Sequence, residues 1–583
     1  MKTYASASIL AMLAWCLVAV LPGCSSNSNS GSSSSDTPAA TPLTIVHVGG
    51  AISTPTTWTK GNLYVIDSSI MTSATLTIEP GTIVKFSQGT AISVNANGAI
   101  VANGQSASTP IIFTSLKDDI YGGDTNEDKT ATAPSKGDWS YISVNTTGST
   151  FDHCVFSYGG SAKPYSATLE LNSGCTATVT NSVFAHNQGG TLTDTRAAAL
   201  NAGDAGAGTV LKGNTFYDND MPLVVSALYS LDNSNVFHQM VSGATVTNKY
   251  NGIFFDGPYN LTGNITWSNT DVPYVILGPL SVDAGSSLTL ADNVVVKFDA
   301  GQRIEVPGTL TANAATGITF TSIKDDTIGG DTNGDGMATP PAPGDWKNVS
   351  VSSTGSVFNK CRFFYGGSAK PYSGTLDVSN ANVPATATIT NCTFAHNAGG
   401  APADNRAATL NVGGAGAGTI VTGNTFYDND MPMVINGLNN IDNTNVFHAV
   451  VSGVTHSNKY NGIFMDGVDH IVTGSVTWSN TEVPYVIAGG TVLTVGDADG
   501  ANLTLGNNVI VKIQGGRIDE LQYGAITQGT GNYFTSFKDD FMMGDNNGDG
   551  MSMPMKGDWA GVNLCKPLCS YATWGNILYA TNP

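Results

Sequence analysis

Thr388-Ile-Thr-Asn391-Cys-Thr-Phe394 sets an asparagine three residues ahead of a phenylalanine, and similar steps return along the chain. Asn181 precedes Phe184, Asn214 precedes Phe216 and Asn235 precedes Phe237, with counterparts at Asn424 and Asn445. A turn asparagine can take a left-handed backbone and bond its neighbour above, while the phenylalanine points inward. Repeated, this predicts coils that stack an amide ladder on an aromatic one. Around these steps lie short apolar runs such as Leu76-Thr-Ile78, Ile83-Val-Lys-Phe86, Ala91-Ile-Ser-Val94 and Ile111-Ile-Phe-Thr114. Gly, Asn and Pro punctuate them, the pattern of strands and tight turns.

The coils belong to a longer repeat. Phe320-Thr-Ser-Ile-Lys-Asp-Asp-Thr-Ile-Gly-Gly-Asp-Thr-Asn-Gly-Asp-Gly336, closed by Gly344-Asp-Trp346, recurs from Phe113 to Trp139 and from Phe534 to Trp559. Asp118, Asp325 and Asp539 are spaced by 207 and 214 residues. The expected organisation is residues 63–271 as one unit, 272–482 as a second, and 483–583 as a partial third with a C-terminal cap. Residues 43–62 are expected as an N-terminal cap, since a solenoid needs its ends covered.

These phrases, together with Leu76-Thr-Ile-Glu-Pro-Gly-Thr-Ile-Val-Lys-Phe86, resemble the right-handed parallel β-helix repeat proteins of bacterial surfaces. The resemblance runs from about Leu63 to the C-terminus and implies an all-β solenoid of roughly seven to nine coils per unit. A string of immunoglobulin-like sandwiches would also give short strands, but not the Asn-to-Phe ladder.

Composition narrows the partners. Of 583 residues only 12 % are charged, 68 are glycine, and the net charge is −20. A polyanion would be repelled, which argues against nucleic acid and anionic membrane surfaces as partners, whereas divalent cations and neutral glycans are compatible. At the N-terminus, Lys2 precedes an apolar run from Ile9 to Val20 that is too short to span a bilayer. It ends in Leu21-Pro22-Gly23-Cys24, which resembles the lipobox of bacterial lipoproteins. That resemblance implies a signal peptide over 1–23, acylation at Cys24, and, with Ser25, sorting to the outer membrane with the body at the cell surface. An ordinary signal peptide is the alternative. Residues 24–42, rich in Ser, Thr, Pro and Ala, read as a flexible tether.

The acidic stretches carry the clearest chemistry. Asp331, Asn333 and Asp335, with Gly336 sixth, alternate oxygen ligands as a chain must to wrap Ca²⁺; Asp545, Asn547 and Asp549 repeat this. The first copy has Asp124, Asn126 and Asp128, but Lys129 replaces the sixth glycine, which predicts a weaker site. Further carboxylates are available from the pairs Asp118-Asp119, Asp325-Asp326 and Asp539-Asp540, or from Asp345. Oxygen ligands without His or Cys favour Ca²⁺, expected here in a structural role.

Two polar sets occur in both complete units: Lys163, Tyr165, His186, Asp194, Arg196, Asp218 and Asp220, and then Lys370, Tyr372, His396, Asp404, Arg406, Asp428 and Asp430. An acid/base pair beside a cation would suit a Ca²⁺-dependent polysaccharide lyase or glycoside hydrolase. A whole set present twice suits scaffold turns or repeated binding faces better, so the expectation is a non-catalytic adhesive, glycan-binding or structural surface. Asn269-Thr-Asp271 matches one polygalacturonase motif, without the rest of that family's signature. Trp139, Trp346, Trp559, Trp267 and Trp478 are expected in the core beneath the loops; exposed, they would be sugar platforms. Cys565 and Cys569 are close enough to pair and staple the C-terminal end.

Overall fold

A computed structural model describes residues 43–582, apart from 163–165, 195–196, 371–372, 381, 403–406, 466–469, 497–499 and 567. The signal, the tether and Cys24 lie outside the described residues, as do Lys163, Tyr165, Arg196, Tyr372, Asp404 and Arg406. The described chain is a parallel β-helix with no α-helix in it. One coil shows the plan: Ile83–Phe86, Ile92–Val94 and Ala99–Asn103 form its three sides, and Ile111–Ser115 then pairs in parallel with Ile83–Phe86. Successive side chains alternate in and out, so Ile92 and Val94 are buried while Ser93 is not.

The inward aromatic side chains stack. Phe113, Phe156, Phe184, Phe216 and Phe237 lie ring on ring at 5.0, 4.7, 5.0 and 5.2 Å. Phe320, Phe363, Phe394, Phe426 and Phe447 repeat the column at 4.8 to 5.3 Å. Each buried ring contributes about 1.5–3 kcal/mol by leaving water, and stacking adds about 0.5–1.5 kcal/mol. The tryptophans join this core: Trp139 stacks on Phe86 at 4.1 Å and Trp346 on Phe298 at 4.3 Å, while Trp267 and Trp478 each face a tyrosine at 4.6 Å. None of the five is more than 1 % exposed.

The amide ladder needs one correction. Asn181 and Asn391 are the left-handed turn residues, with φ of 51° and 55°, and their side chains reach outward to Asp152 and Asn359. The buried rung belongs to the next residue, Ser182 or Cys392, whose N–H donates to Asn214 or Asn424. Asn214 in turn donates from Nδ2 to Asn235 Oδ1 at 3.2 Å. A second ladder escaped the sequence reading: Asn187, Asn219 and Asn248 bond in series at 2.9 Å, and Asn397, Asn429 and Asn458 repeat it. Asn269 is buried and donates to the carbonyls of Asp232 and Asn235, a purely internal duty.

The long repeat does not close on a whole coil. The first acidic loop leaves strand Ile111–Ser115 and lands on Ile142–Val144, on a second strand line. Eight strands stack along that second line, from Ile142–Val144 to the end of Thr309–Ser322, where the second loop leaves. It lands on Val349–Val351, which begins eight more strands of a third line ending at Tyr533–Ser536, the start of the third loop. Each loop departs from the line on which the previous one landed. A unit therefore advances the chain by seven coils and a third of a turn, and the three loops stand at three different sides of the helix.

Residues 44–58 are themselves the first coil, since Thr44–Ile52 pairs in parallel with Asn62–Thr72, and Thr56–Trp58 with Thr75–Ile78. At the other end Val562–Cys565 turns back antiparallel on Cys569–Tyr571, and a disulfide joins Cys565 to Cys569.

Candidate functional site: three acidic loops

Each loop is held at its base by a carboxylate clamp. Ser115 Oγ and Lys117 Nζ donate to the two oxygens of Asp138 at 2.7 and 2.8 Å. Ser322 and Lys324 do the same to Asp345, and Ser536 and Lys538 to Asp558. Burial pushes the Asp138 carboxyl up, but the Lys117 and Ser115 bonds outweigh it and leave it below the usual range. The first aspartate of each Asp-Asp pair is also structural. Thr114, Thr321 and Thr535 hydroxyls donate to Asp118, Asp325 and Asp539 at 2.6 to 2.7 Å.

The second aspartate of each pair joins a cluster. Carboxylate oxygens of Asp119, Asp124 and Asp128 lie within 4.8 Å of one another, as do those of Asp326, Asp331 and Asp335, and of Asp540, Asp545 and Asp549. Asp331 also organises its loop, accepting from Gly334 N at 2.7 Å and Gly336 N at 2.8 Å. Asp124 takes Lys129 N at 2.7 Å and Asp545 takes Gly550 N at 3.0 Å, so the first loop has the same turn despite its lysine. Asp119 Oδ1, Asn126 Oδ1, Asp128 Oδ1, Asp326 Oδ1 and Asp540 Oδ1 are buried without a hydrogen-bond partner. Burial and the adjacent Asp331 charge raise the Asp326 carboxyl above its ordinary value. Converging oxygens, some unsatisfied and one reluctant to ionise, are a donor set that suits a hard divalent cation. Of the further carboxylates offered to the second loop, Asp326 is the one that lies in this cluster.

Behind each cluster sits a lysine that the sequence reading passed over. Lys85, Lys297 and Lys512 are fully buried on the outer side of their strands. Lys297 Nζ donates to Gly330 O at 2.7 Å and Thr332 Oγ1 at 2.9 Å; Lys85 and Lys512 make the equivalent bonds to Gly123 O and Gly544 O. Burial lowers all three ammonium groups against the pull of the nearby aspartates, to about 8 for Lys297 and Lys512. The signal was present in the thrice-repeated Val-Lys, but alternation alone reads such a lysine as solvated.

Two glycines in the loop have separate reasons. A Cβ on Gly334 would lie 2.8 Å from Tyr250 of the preceding unit, and one on Gly548 would lie 2.4 Å from Tyr460. The second and third loops thus fold back over the unit joint, where Val224, Phe254, Val275, Ile323 and Tyr250 form a small outer core. The first loop has no unit before it, and there Glu127 replaces the glycine at φ 57°. Gly336 and Gly550 meet nothing and serve only the left-handed turn, which Lys129 adopts at φ 67°.

The described histidines and aspartates of the duplicated polar sets have partners close by. His186 Nδ1 lies 2.5 Å from Asp218, and Lys136 reaches Asp218 at 3.2 Å and Asp220 at 3.5 Å. In the second unit Asp428 pairs with His456 at 2.8 Å and His396 at 3.7 Å. Asp220 and Asp430 each accept a loop N–H, from Gly189 and Gly399, at 3.1 Å. Asp194 bridges to Thr191 in the same turn. One further place differs between units. A cavity of about 420 Å³ is lined by Glu170, Asp204, Asp256 and Tyr259, and burial raises Glu170 to about 7. The second unit has Asp377 and Gly414 in place of Glu170 and Asp204, so a search for residues common to both units missed it. No protein-family model matches this chain, nor does any curated protein or solved structure, and the functional reading rests on the molecule's own geometry.

Proposed function

We propose that this chain is a cell-surface β-helix lipoprotein, anchored in the outer membrane through acylated Cys24. Its acidic loops bind Ca²⁺, and its body presents a long repetitive surface for adhesion or glycan contact without turnover. The observation that carries the reading is the threefold carboxylate cluster with unpartnered oxygens, of which the second and third span unit joints. Ca²⁺ there would relieve carboxylate repulsion and lock each loop across its joint. Because the loops stand on three sides, a partner polymer could be met from several directions.

Calorimetric Ca²⁺ titration of the chelator-stripped chain from Ser25, with melting curves alongside, tests this. Two tight sites, one weaker site and a marked rise in melting temperature are expected; no binding, or binding without stabilisation, removes the reading.

A second reading is supported by the Glu170 cavity. A carboxyl that burial raises to about 7, in one cavity with Asp204 and Asp256, is the kind of carboxyl grouping that glycoside cleavage uses. Incubation with pectate, alginate or chondroitin decides it. Released unsaturated or reducing ends, abolished by Glu170→Gln, establish the enzyme; no release supports the non-catalytic surface.

A further inference from the structure

The third acidic loop differs from the other two in a way its Ca²⁺ chemistry does not use. Five of the chain's 14 methionines fall between Met542 and Met555. Three of them, Met551, Met553 and Met555, alternate with Ser552 and Pro554. They are 80, 66 and 63 % exposed, while Ser552 and Pro554 turn partly inward. The segment is pinned from beneath: Ser552 N and Oγ donate to Asp540 Oδ2 at 2.7 and 3.0 Å, and Met555 N to Asp558 Oδ2 at 2.8 Å. The corresponding stretch of the second loop keeps only Met337, followed by Ala338, Thr339 and Pro340, and the first loop has Thr130, Ala131 and Thr132.

Period-two alternation in an extended segment puts three side chains on one side, with neighbours about 7 Å apart along the backbone. Each thioether hangs on three rotatable bonds, so a neighbouring pair of sulfurs, Met551 with Met553 or Met553 with Met555, can close on one ion without moving the pinned backbone. Thioether sulfur is a soft, neutral ligand. It ignores Ca²⁺ and Mg²⁺ and prefers soft monovalent ions. An apolar docking face would serve equally well with leucine or isoleucine, yet the outward residues here are all methionine.

We infer that Met551, Met553 and Met555 form a capture site for a soft monovalent cation of the Cu(I) class. It is separate from the hard oxygen cluster of Asp540, Asp545 and Asp549 in the same loop. The ion binds as supplied, by thioether donation, with no change of oxidation state.

The test is calorimetric titration with silver(I), a redox-inert thioether probe, on the full chain with its disulfide intact, followed by Cu(I) in competition with a Cu(I) chelator. One ion per chain is expected. The triple variant Met551→Leu/Met553→Leu/Met555→Leu, which preserves apolar area at three exposed positions, should bind at least tenfold more weakly. Saturating Ca²⁺ should leave silver binding to the unaltered chain unchanged. Equal silver affinity in the triple variant, or displacement of silver by Ca²⁺, overturns the proposal.

Discussion

The first and second acidic loops share their turn, clamp and buried lysine, yet they use different residues at two left-handed points of the backbone. Glu127 stands where the second loop has Gly334, and Lys129 where it has Gly336. The first difference follows from position in the rod: Gly334 is wedged against Tyr250, and Glu127 has no preceding unit to meet. The second has no such steric reason and is a matter of left-handed strain and charge. The same local motif is thus constrained by its neighbours in one unit and by its own conformation in another.

The most severe way to break this comparison is Gly334→Ala. A side chain in the left-handed region costs about 1–2 kcal/mol, and the Tyr250 contact adds about 1–3 kcal/mol of overpacking. Denaturant unfolding should show that sum, whereas Glu127→Ala in the first loop should change stability by less than about 0.5 kcal/mol. An equal loss at both positions would mean that the joint plays no part.

Next in size is pH. Lys297 is held near 8, below its unfolded value. Between about pH 8 and 10.4 the unfolded chain binds the extra proton, so stability rises with pH across that window. The burial penalty is felt fully below pH 8 and is relieved above it, by an amount on the order of 2–3 kcal/mol. Melting in chelator from pH 7.5 to 10 should show a gain that shrinks when Lys297→Met removes the titrating group. A flat profile for both proteins would refute this.

If the loops bind Ca²⁺ as proposed, Asp331→Asn should weaken it at the second loop by about tenfold, near 1.4 kcal/mol, and Asp124→Asn should change the total heat less, the first site being the one expected to be weaker. The smallest expected effect sharpens the comparison: Lys129→Gly removes a positive charge and a strained residue, and should tighten the first site several-fold in calorimetry. No change would assign the difference between loops to the joint alone.

Much of this was legible from the chain. The Asn-to-Phe steps announce stacked coils because an amide and an aromatic ring each repeat well only on themselves. The alternate oxygens of Asp331, Asn333 and Asp335 mark the loops. What the chain hid is where partners arrive from far away. Lys297 looks solvated until a loop that begins some thirty residues later covers it. Gly334 looks like one more turn glycine until Tyr250 is beside it. Asn187 and Asn219 are ladder rungs, but no phenylalanine follows them to flag the pattern. Asn181 sits one residue early, because turn and rung are neighbours and sequence alone does not say which is buried.

The extra third of a turn per unit has a consequence for how such a rod can vary. The joints Val272-Pro-Tyr-Val275 and Val483-Pro-Tyr-Val486 are identical, so duplication or loss of one whole unit would leave no mismatched seam. Length would change in clean steps, but the distal tip would be re-aimed each time, like a screw advanced by a fixed fraction of its thread. Only a change of three units would restore the original bearing. Reach and direction are geared together in this sequence, and a lineage that tunes one necessarily turns the other.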